Sequence, residues 1–441
     1  MIDIKFIREH AGEAKEGMRK KNADASVIDR LLDVDGKRRA TIERINEKQA
    51  ERNTISASIP NLSGSEKDAQ LKASTALKDT LKADEDELHA LESEFQSLMY
   101  RIPNIPLPDV PVGKSDAENR VVREVLPKRD FSFKPKDYIE LGDTLDLIDT
   151  ERASKVSGSR FGYLKHEAPL LEFALVQFAF SRLLNEGWIA NIIQERNLHV
   201  LPKAFIPLVP PVLIRPEVYR GMGRLDPGQE EERYHLEKDD LYLVGSGEHT
   251  TGPMHMDETF LEEHLPHRHI AFSTCFRREA GSYGKDTRGI LRVHQFDKLE
   301  MFVFSNQETS GHEHELLVAI QEELMKELGI PYRVVFICTG DMGWPDAKQY
   351  DVEAWMPGQN EFRETHSASN TTDFQSRRLN MKYRNKNGSK DFVHTLNATA
   401  FAIGRMLIAI LENYQEEDGS VKIPDVLLPY MHGITRISPR T

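Results

Sequence analysis

The sequence predicts an α+β fold that begins with a long helical hairpin and continues into a domain built on a mainly antiparallel sheet. Two observations support this prediction. Residues 26–59 and 66–101 are rich in Ala, Glu, Lys, Arg and Leu and nearly lack Pro and Gly, which favours helix. Beyond residue 129, apolar helical segments mix with short β-rich runs and few βαβ alternations, a pattern typical of α+β domains.

The hairpin is predicted from apolar stripes on both segments. In the second segment the apolar residues fall mostly on three-, four- and seven-residue steps, which places them on one face of a helix. They are Leu77, Leu81, Leu88, Leu91, Phe95 and Leu98. The first segment has a thinner stripe, and the turn-forming residues 60–65 separate the two. At 1.5 Å per residue the pair would be about 50 Å long.

A Pro-rich stretch at residues 102–108 ends the hairpin and predicts a linker. The predicted organisation is therefore an arm at 1–105, a linker at 106–128 and a second domain at 129–441. Within that domain we expect a helix near 170–187. Strands are expected at 199–201, 270–276, 298–304 and 332–338.

Composition limits the classes of protein that the chain can belong to. The first residues are charged and have no apolar core, so no signal peptide is expected, and no apolar run approaches the roughly 20 residues of a membrane span. The two cysteines, Cys275 and Cys338, lack metal-ligand spacing. We therefore expect a cytoplasmic protein with no membrane association, no disulfide framework and no zinc.

Basic residues on the arm admit two interpretations. With Glu43, Glu47 and Glu51 interspersed, they would form a solvated coiled-coil surface; alternatively they contact nucleic-acid phosphates, despite a net charge of -13, because binding depends on where the charges cluster. On the first helix they are Arg38, Arg39, Arg44, Lys48 and Arg52, with Lys37 beside them. On the second they are Lys67, Lys72, Lys78 and Lys82.

The most informative motif runs from residue 276 to 296. An apolar strand ends in Arg277-x-Glu279, a Gly-rich polar loop follows, and a second apolar run leads to Glu300. Guanidinium groups suit phosphate because they form bidentate, permanently charged contacts, although Arg277 and Glu279 would also fit a plain cross-strand ion pair. The sequence has no P-loop and no GxGxxG motif after a strand.

Residues 271–304 resemble motif 2 of the class II aminoacyl-tRNA synthetases, and specifically of the seryl-tRNA synthetase family. Residues 339–378 are similar to that family's adenylate-binding region and residues 392–415 to its motif 3. Residues near 205–225 are similar to motif 1, its dimer-forming element. The resemblance covers nearly the whole chain and implies a class II catalytic domain behind a tRNA-binding arm.

The resemblance also implies an activity and its partners. It implies activation of L-serine with ATP and Mg²⁺, and transfer of serine to tRNA-Ser, with tRNA-Sec left open, by a homodimer. Arg277 would hold the α-phosphate and the serine carboxylate, Arg405 the γ-phosphate end, and Glu279 the adenine. The implied ATP set is Arg277, Arg278, Glu279, Val293, Phe296, Glu364, Thr365, His366, Ser367 and Arg405, with Glu364 and Ser367 also binding Mg²⁺. The implied serine set is Ser246, Glu248, Arg277, Glu300, Asn397 and Thr399.

The sequence departs from the family pattern at two places. Residues 244–248 carry glycines on both sides of Ser246 where Thr, a small residue and Glu are usual, and this predicts a more flexible loop. Thr365 and His366 replace the usual residues after Glu364. Two alternatives stay open, an amino acid:carrier-protein ligase and a catalytically inactive paralogue. The zinc-dependent branch of the family would need a Cys ligand in the pocket, and neither cysteine is placed for it.

Overall fold

The computed structural model describes residues 1–225, 228–280 and 288–440. The chain forms two compact units, Met1–Pro103 and Asn104–Thr441. Among the described residues, no helix has the length and apolar character needed to cross a membrane.

The first unit is helical, and its two long helices form the predicted antiparallel hairpin. Ion pairs link Arg30 to Glu94 and Lys48 to Asp84. The helices are therefore antiparallel, because residue numbers increase along the first helix while those of their partners decrease along the second. The helices are α1 Ile4–Glu9, α2 Ala11–Lys20, α3 Ser26–Ser58 and α4 Gly64–Tyr100. At 1.5 Å per residue the long pair spans roughly 50 Å.

Apolar packing in this unit is concentrated at the base of the hairpin. There α1 and α2, which were not predicted, bury Ile7 and Met18 against Ile28 and Leu31 of α3 and Met99 of α4. Beyond this cluster the long helices bury few apolar side chains, and ion pairs link them instead. The arm is therefore anchored at one end and largely polar along its length.

The second unit is built on an eight-stranded sheet. The strands of this unit are β1 Arg120–Val125, β2 Ile148–Asp149, β3 Tyr163–Leu164, β4 Ile206–Leu208, β5 Leu213–Ile214, β6 His235–Leu236, β7 Leu241–Leu243, β8 Thr259–Leu261, β9 His267–Phe276, β10 Gln295–Ser305, β11 Tyr332–Phe336, β12 Lys348–Met356, β13 Glu361–Asn370, β14 Lys382–Arg384, β15 Lys390–Phe392, β16 His394–Ala402, β17 Val421–Lys422 and β18 Arg436–Ile437. The order in the eight-stranded sheet is β1-β11-β12-β13-β16-β10-β9-β4. All neighbouring strands of this sheet are antiparallel except β4 and β9, which are parallel.

Helices cover one face of this sheet and complete the α+β fold that the sequence predicts. The helices are α5 Tyr138–Thr144, α6 Thr150–Ser157, α7 Glu167–Leu183, α8 Glu186–Glu195, α9 Pro216–Gly221, α10 Glu248–Thr251, α11 Ser310–Glu327, α12 Phe374–Leu379 and α13 Ile403–Asn413. The apolar residues of α7, α11 and α13 form one core with the central strands, and burial of such surfaces is the main stabilising contribution.

Three local features differ from the sequence-based expectations. The segment 106–128, expected as a linker, contains β1, which pairs with β11 at the edge of the sheet. The helix expected at 170–187 ends at Leu183 because Asn185 caps a new helix by accepting from the backbone N–H of Trp188. Residues 199–201 form no strand, and Pro202 after them lacks the N–H that a sheet ladder requires.

Candidate active site

A cleft opens where β9, β10, β12, β13 and β16 lie side by side. It consists of two cavities of about 340 and 610 Å³. They are continuous, because nine residues line both: Arg277, Glu279, Arg292, Lys298, Asp341, Gln349, Glu364, Ser367 and Arg405. Strongly polar walls in a half-enclosed cleft are suited to a charged ligand.

Arg277 stands at the junction of the two cavities. Its Nε donates to the carbonyl oxygen of Gly245 at 3.1 Å, and its guanidinium lies 5.3 Å from the ring centroid of Phe296. These two contacts fix the direction of the side chain. Phe296 and Val293 line the smaller cavity as its apolar wall, so a flat apolar group and an anionic group can be held side by side there.

Arg405 provides a second cation on the wall of the smaller cavity. It lies in the first turn of α13, and its Nη1 contacts both the backbone oxygen of Glu364 at 2.8 Å and the carboxylate Oε2 at 3.0 Å. Burial alone would raise the pKa of Glu364, but Arg405 outweighs it and keeps this pKa below its ordinary value. The pair is therefore ionised at neutral pH.

A β-bulge aims Glu364 into the cleft. The register of β12 and β13 shifts so that Val352 pairs with His366 while Glu353 pairs with Glu364, leaving Thr365 as the extra residue. Because side chains alternate along a strand and a bulge breaks the alternation, Glu364 and Ser367 line the same cleft. Thr365 donates from Oγ1 to the carbonyl oxygen of Val352 at 3.2 Å and also lines the smaller cavity.

Asp351 adds a carboxylate that the sequence analysis did not select. It pairs with Ser367 across the strands and lines the smaller cavity together with Glu364. Burial, and then repulsion from Glu364, raise the pKa of Asp351 well above its ordinary value. Two carboxylates and a hydroxyl on one wall form a set of oxygen donors that suits a hard divalent cation.

The larger cavity ends in a buried acidic pocket. Glu248 there has 2.9 Å between its Oε1 and Nε of Arg224, and 3.3 Å between Oε1 and Nε2 of His249. Although burial alone would raise the pKa of Glu248, Arg224 and then His249 hold it well below its ordinary value. Glu248 therefore stays charged.

His249 is held in its neutral form. Its Nδ1 accepts from the backbone N–H of Gly245 at 3.1 Å, so the ring hydrogen is on Nε2 and faces Glu248. Burial lowers the pKa of His249 to about 3. The same hydrogen bond, together with the Arg277 contact to the carbonyl of Gly245, fixes the loop 244–248, which was expected to be more flexible.

Lys298 connects the acidic pocket to the floor of the cleft. Its Nζ lies 2.6 Å from Oε2 of Glu300 and donates to Oγ of Ser246 at 3.3 Å. Oγ1 of Thr399 lies 3.5 Å from the same Glu300 oxygen. Burial raises the pKa of Glu300 to about 7, and Lys298 opposes the rise. The amide nitrogen of Asn397, which lines the larger cavity, is buried without a hydrogen-bond partner among the described residues.

Most of the expected site residues meet at this cleft, but three do not line it. Arg278 is exposed and lies over the ring of Tyr234. His366 is fully buried, bonded to Thr365 and packed against Phe401, because the bulge turns its side chain to the helical face. Glu300 lies behind Lys298 rather than on the wall. Residues 281–287 of the expected motif 2 fall outside the described residues.

Several cleft residues were missed by the sequence analysis. They are Arg224, Arg233, Arg292, Lys298, Asp341, Asp346, Gln349 and Asp351. For Lys298 a signal was present, since it stands two residues before Glu300 on a predicted strand and therefore shares its face. Arg224 carries no such signal, because it comes from a turn distant in sequence.

On the arm, four of the five basic residues expected to bind tRNA are engaged in ion pairs. Arg44 contacts Asp84 and Glu87, and Lys48 contacts Asp84. Arg38 and Arg39 pair with Glu92 and Asp35 respectively. Arg52 is half-buried and forms no ion pair with the described residues. The interpretation as a coiled-coil surface therefore accounts for most of this set.

The arrangement of sheet and cleft places the second unit in a known class. Residues 232–414 match the family model described as the tRNA synthetase class II core domain (G, H, P, S and T). The fold and its cleft are those of a class II aminoacyl-tRNA synthetase core. Residues 1–106 match the seryl-tRNA synthetase N-terminal domain.

Whole-chain comparisons narrow the assignment. The chain is 44% identical over 431 residues to the serine–tRNA ligase of Thermobifida fusca, covering 98% of this chain and 97% of the relative. It is 42% identical to that of Dictyoglomus thermophilum, with 100% of both covered. The crystal structure of seryl-tRNA synthetase from Pyrococcus horikoshii complexed with ATP matches over 100% of both chains with 39% identity and a TM-score of 0.89. The chain belongs to the seryl-tRNA synthetase family.

Proposed function

We propose that this chain activates L-serine with ATP and transfers the activated serine to the 3′ end of tRNA-Ser. The observation that carries the proposal is the continuity of the two cavities across Arg277. The smaller cavity offers an apolar wall and cations for a nucleotide, and the larger cavity ends in the pocket with buried carboxylates. The named relatives are serine–tRNA ligases, and one of them was solved with ATP bound.

In the first step a carboxylate oxygen of serine attacks the α-phosphorus of ATP, and the bond to the leaving pyrophosphate breaks. The product is seryl-adenylate. Arg277 neutralises charge on the α-phosphate and orients the serine carboxylate, and Arg405 holds the far end of the triphosphate. Such transfers depend on in-line positioning and charge neutralisation, so this step needs no general base. In the second step a ribose hydroxyl of the tRNA terminus attacks the seryl carbonyl, and AMP leaves.

Recognition of serine falls to the larger cavity. Glu248 is held charged and can accept from the serine ammonium group, while Asn397 offers a buried amide without a partner among the described residues. Lys298, Glu300 and Thr399 form a hydrogen-bonded set beside them, which would receive the serine hydroxyl. A site built to bond a hydroxyl rejects an analogue that lacks it by about 10⁴-fold or more.

Mg²⁺ fits the donors on the wall of the smaller cavity. Asp351, Glu364 and Ser367 present oxygen atoms together, as Mg²⁺ prefers. A cation bound between the carboxylates of Asp351 and Glu364 would offset the repulsion between them. When bound there with ATP, Mg²⁺ would neutralise phosphate charge. Glu364 also keeps Arg405 in place, so replacing Glu364 should affect both the binding of Mg²⁺ and the position of Arg405.

The arm would bind tRNA, as the N-terminal domain match supports. Exposed lysines of α4, which form no ion pairs with the described residues, suit phosphate contacts better than the paired residues Arg44 and Lys48. These lysines are Lys67, Lys72, Lys78 and Lys82. We further propose a homodimer and a cytoplasmic location, and leave charging of tRNA-Sec open.

Serine-dependent ATP–pyrophosphate exchange, followed by charging of tRNA-Ser, tests the proposal. We expect exchange with serine, far less with alanine, and transfer to tRNA-Ser. Equal exchange with alanine would refute the substrate assignment. Transfer of serine to a thiol carrier but not to tRNA would favour the carrier-protein ligase, and absence of exchange would favour the inactive paralogue.

A further inference from the structure

Three histidines lie together on the second unit, away from the cleft. His267 and His269 stand two residues apart on β9 and so project from the same face of the strand, and His255 ends the short turn before β8. One ring nitrogen of each lies within 4.8 Å of those of the other two. The ring centroids form a nearly equilateral triangle with sides of 5.9, 6.2 and 6.0 Å.

This triangle is separate from the candidate active site. None of the three histidines lines either cavity of the cleft. His269 and Arg277 lie eight residues apart in sequence, which corresponds to about 26 Å along an extended chain at 3.3 Å per residue. A ligand at the histidines would therefore occupy its own site.

The ring nitrogens of the triangle lack the partners that buried imidazoles normally have. Nε2 of His255, Nδ1 of His267 and both nitrogens of His269 are buried without a hydrogen-bond partner among the described residues. His269 itself is 4% exposed. Since most buried polar atoms in folded proteins are hydrogen-bonded, such a concentration of unpartnered nitrogens calls for a ligand that accepts lone pairs.

A carboxylate orients one of the rings. Nδ1 of His255 lies 2.8 Å from Oε2 of Glu258, which leaves its Nε2 available to a ligand. Histidines that bind metals commonly donate their other ring N–H to a carboxylate in this way.

We propose that His255, His267 and His269 bind one divalent transition-metal ion, with Zn²⁺ as the best fit. Imidazole nitrogen is a preferred donor for such ions, and three of them leave a fourth, open position. Nitrogens bound tetrahedrally at 2.0–2.1 Å would lie about 3.3 Å apart, so small ring rotations close the site. The expectation of no zinc rests on two cysteines that lack ligand spacing and are not placed for the serine pocket, so it does not concern these histidines. The histidine site is also independent of the proposed function.

The test uses the full-length, untagged chain after removal of metal. Titration with Co²⁺ should produce the visible absorption of a four-coordinate ion at one equivalent per chain, and Zn²⁺ should displace it. Glu258→Gln should weaken Zn²⁺ binding by roughly 10- to 100-fold, the usual effect of losing an outer partner, and His269→Gln should weaken it more. His264→Gln, which changes an exposed histidine on the same segment, should have no effect.

Serine-dependent exchange by the variants, measured with Mg²⁺ and ATP but without Zn²⁺ or Co²⁺, checks that they are folded. If His269→Gln does not fold, His255→Gln replaces it, since that side chain is 18% exposed. Absence of the Co²⁺ spectrum in the parent chain would overturn the proposal. The triangle would then be aromatic packing, since its rings also contact those of Phe260 and Phe304. Unchanged Zn²⁺ affinity in the histidine variant would overturn it as well.

Discussion

Replacing Arg277 by alanine gives the sharpest test of the cleft, because the neighbouring Arg278 provides a matched control. Arg277 lines both cavities and is aimed by its bond to the carbonyl of Gly245 and by Phe296. Arg278 has the same charge and adjacent sequence position, but it is exposed and lines neither cavity. The sequence-based expectation put both arginines at the ATP, so the two variants separate that expectation from the observed geometry.

The expected magnitude follows from the loss of one preorganised donor to developing charge. Removal of such a donor slows catalysis by about 10²- to 10³-fold. Arg277→Lys should fall between the parent and alanine variants, because lysine keeps the charge but lacks the planar fork and the Nε–H that bonds Gly245. Arg278→Ala should change the rate by no more than a few-fold.

The assay is serine-dependent ATP–pyrophosphate exchange at saturating and limiting ATP, with circular dichroism as a check on folding. Measuring kcat and KM separately shows whether the arginine acts on binding or on the transition state. Equal losses in the Arg277→Ala and Arg278→Ala variants would refute the assignment of the cleft. Full activity in Arg277→Ala would do the same.

Three further predictions concern acidity, the arm and the core. The exchange kcat/KM for serine should rise as pH increases through about 7, where Glu300 ionises, and Glu300→Gln should flatten that rise; an unchanged profile would contradict the role. Deleting residues 1–103 should preserve exchange while abolishing efficient tRNA charging, and equal charging by the truncated chain would show that the arm is dispensable. Arg268 and Glu313 form a buried ion pair at 2.7 Å, so Arg268→Met should lower the free energy of unfolding by about 3–5 kcal/mol because it strands the buried carboxylate. Lys155→Met, which removes an exposed ion pair with Glu151, should cost less than about 1 kcal/mol; urea denaturation measures both, and similar losses would refute the argument.

The helical hairpin was predicted almost to the residue because its signals are local. The expected helices at 26–59 and 66–101 compare with Ser26–Ser58 and Gly64–Tyr100. Composition, apolar spacing and a turn-forming segment all lie within a few helical turns of the residues that they describe. The same locality explains why the mainly antiparallel character of the second unit was predicted while its strand order was not.

The details of the cleft depend on strand register, which the sequence does not show. The bulge at Thr365 turns Glu364 inward and His366 toward the core, and a second register shift on β10 and β16 lies beside Glu300. Without either shift, simple alternation would assign different residues to the cleft. The histidine triangle also depends on the fold. The two-residue spacing of His267 and His269 places both on one face of a strand, but only folding brings His255 beside them.

The charges around the cleft limit how it can bind its nucleotide. Among the described residues, seven carboxylates and six cationic side chains line the two cavities, so the walls carry almost no net charge. A triphosphate of about four negative charges would then gain little from long-range attraction, which depends on an excess of one sign. Its affinity should instead depend on the counter-ions that accompany it, and ATP binding to this chain should strengthen steeply with the concentration of free Mg²⁺.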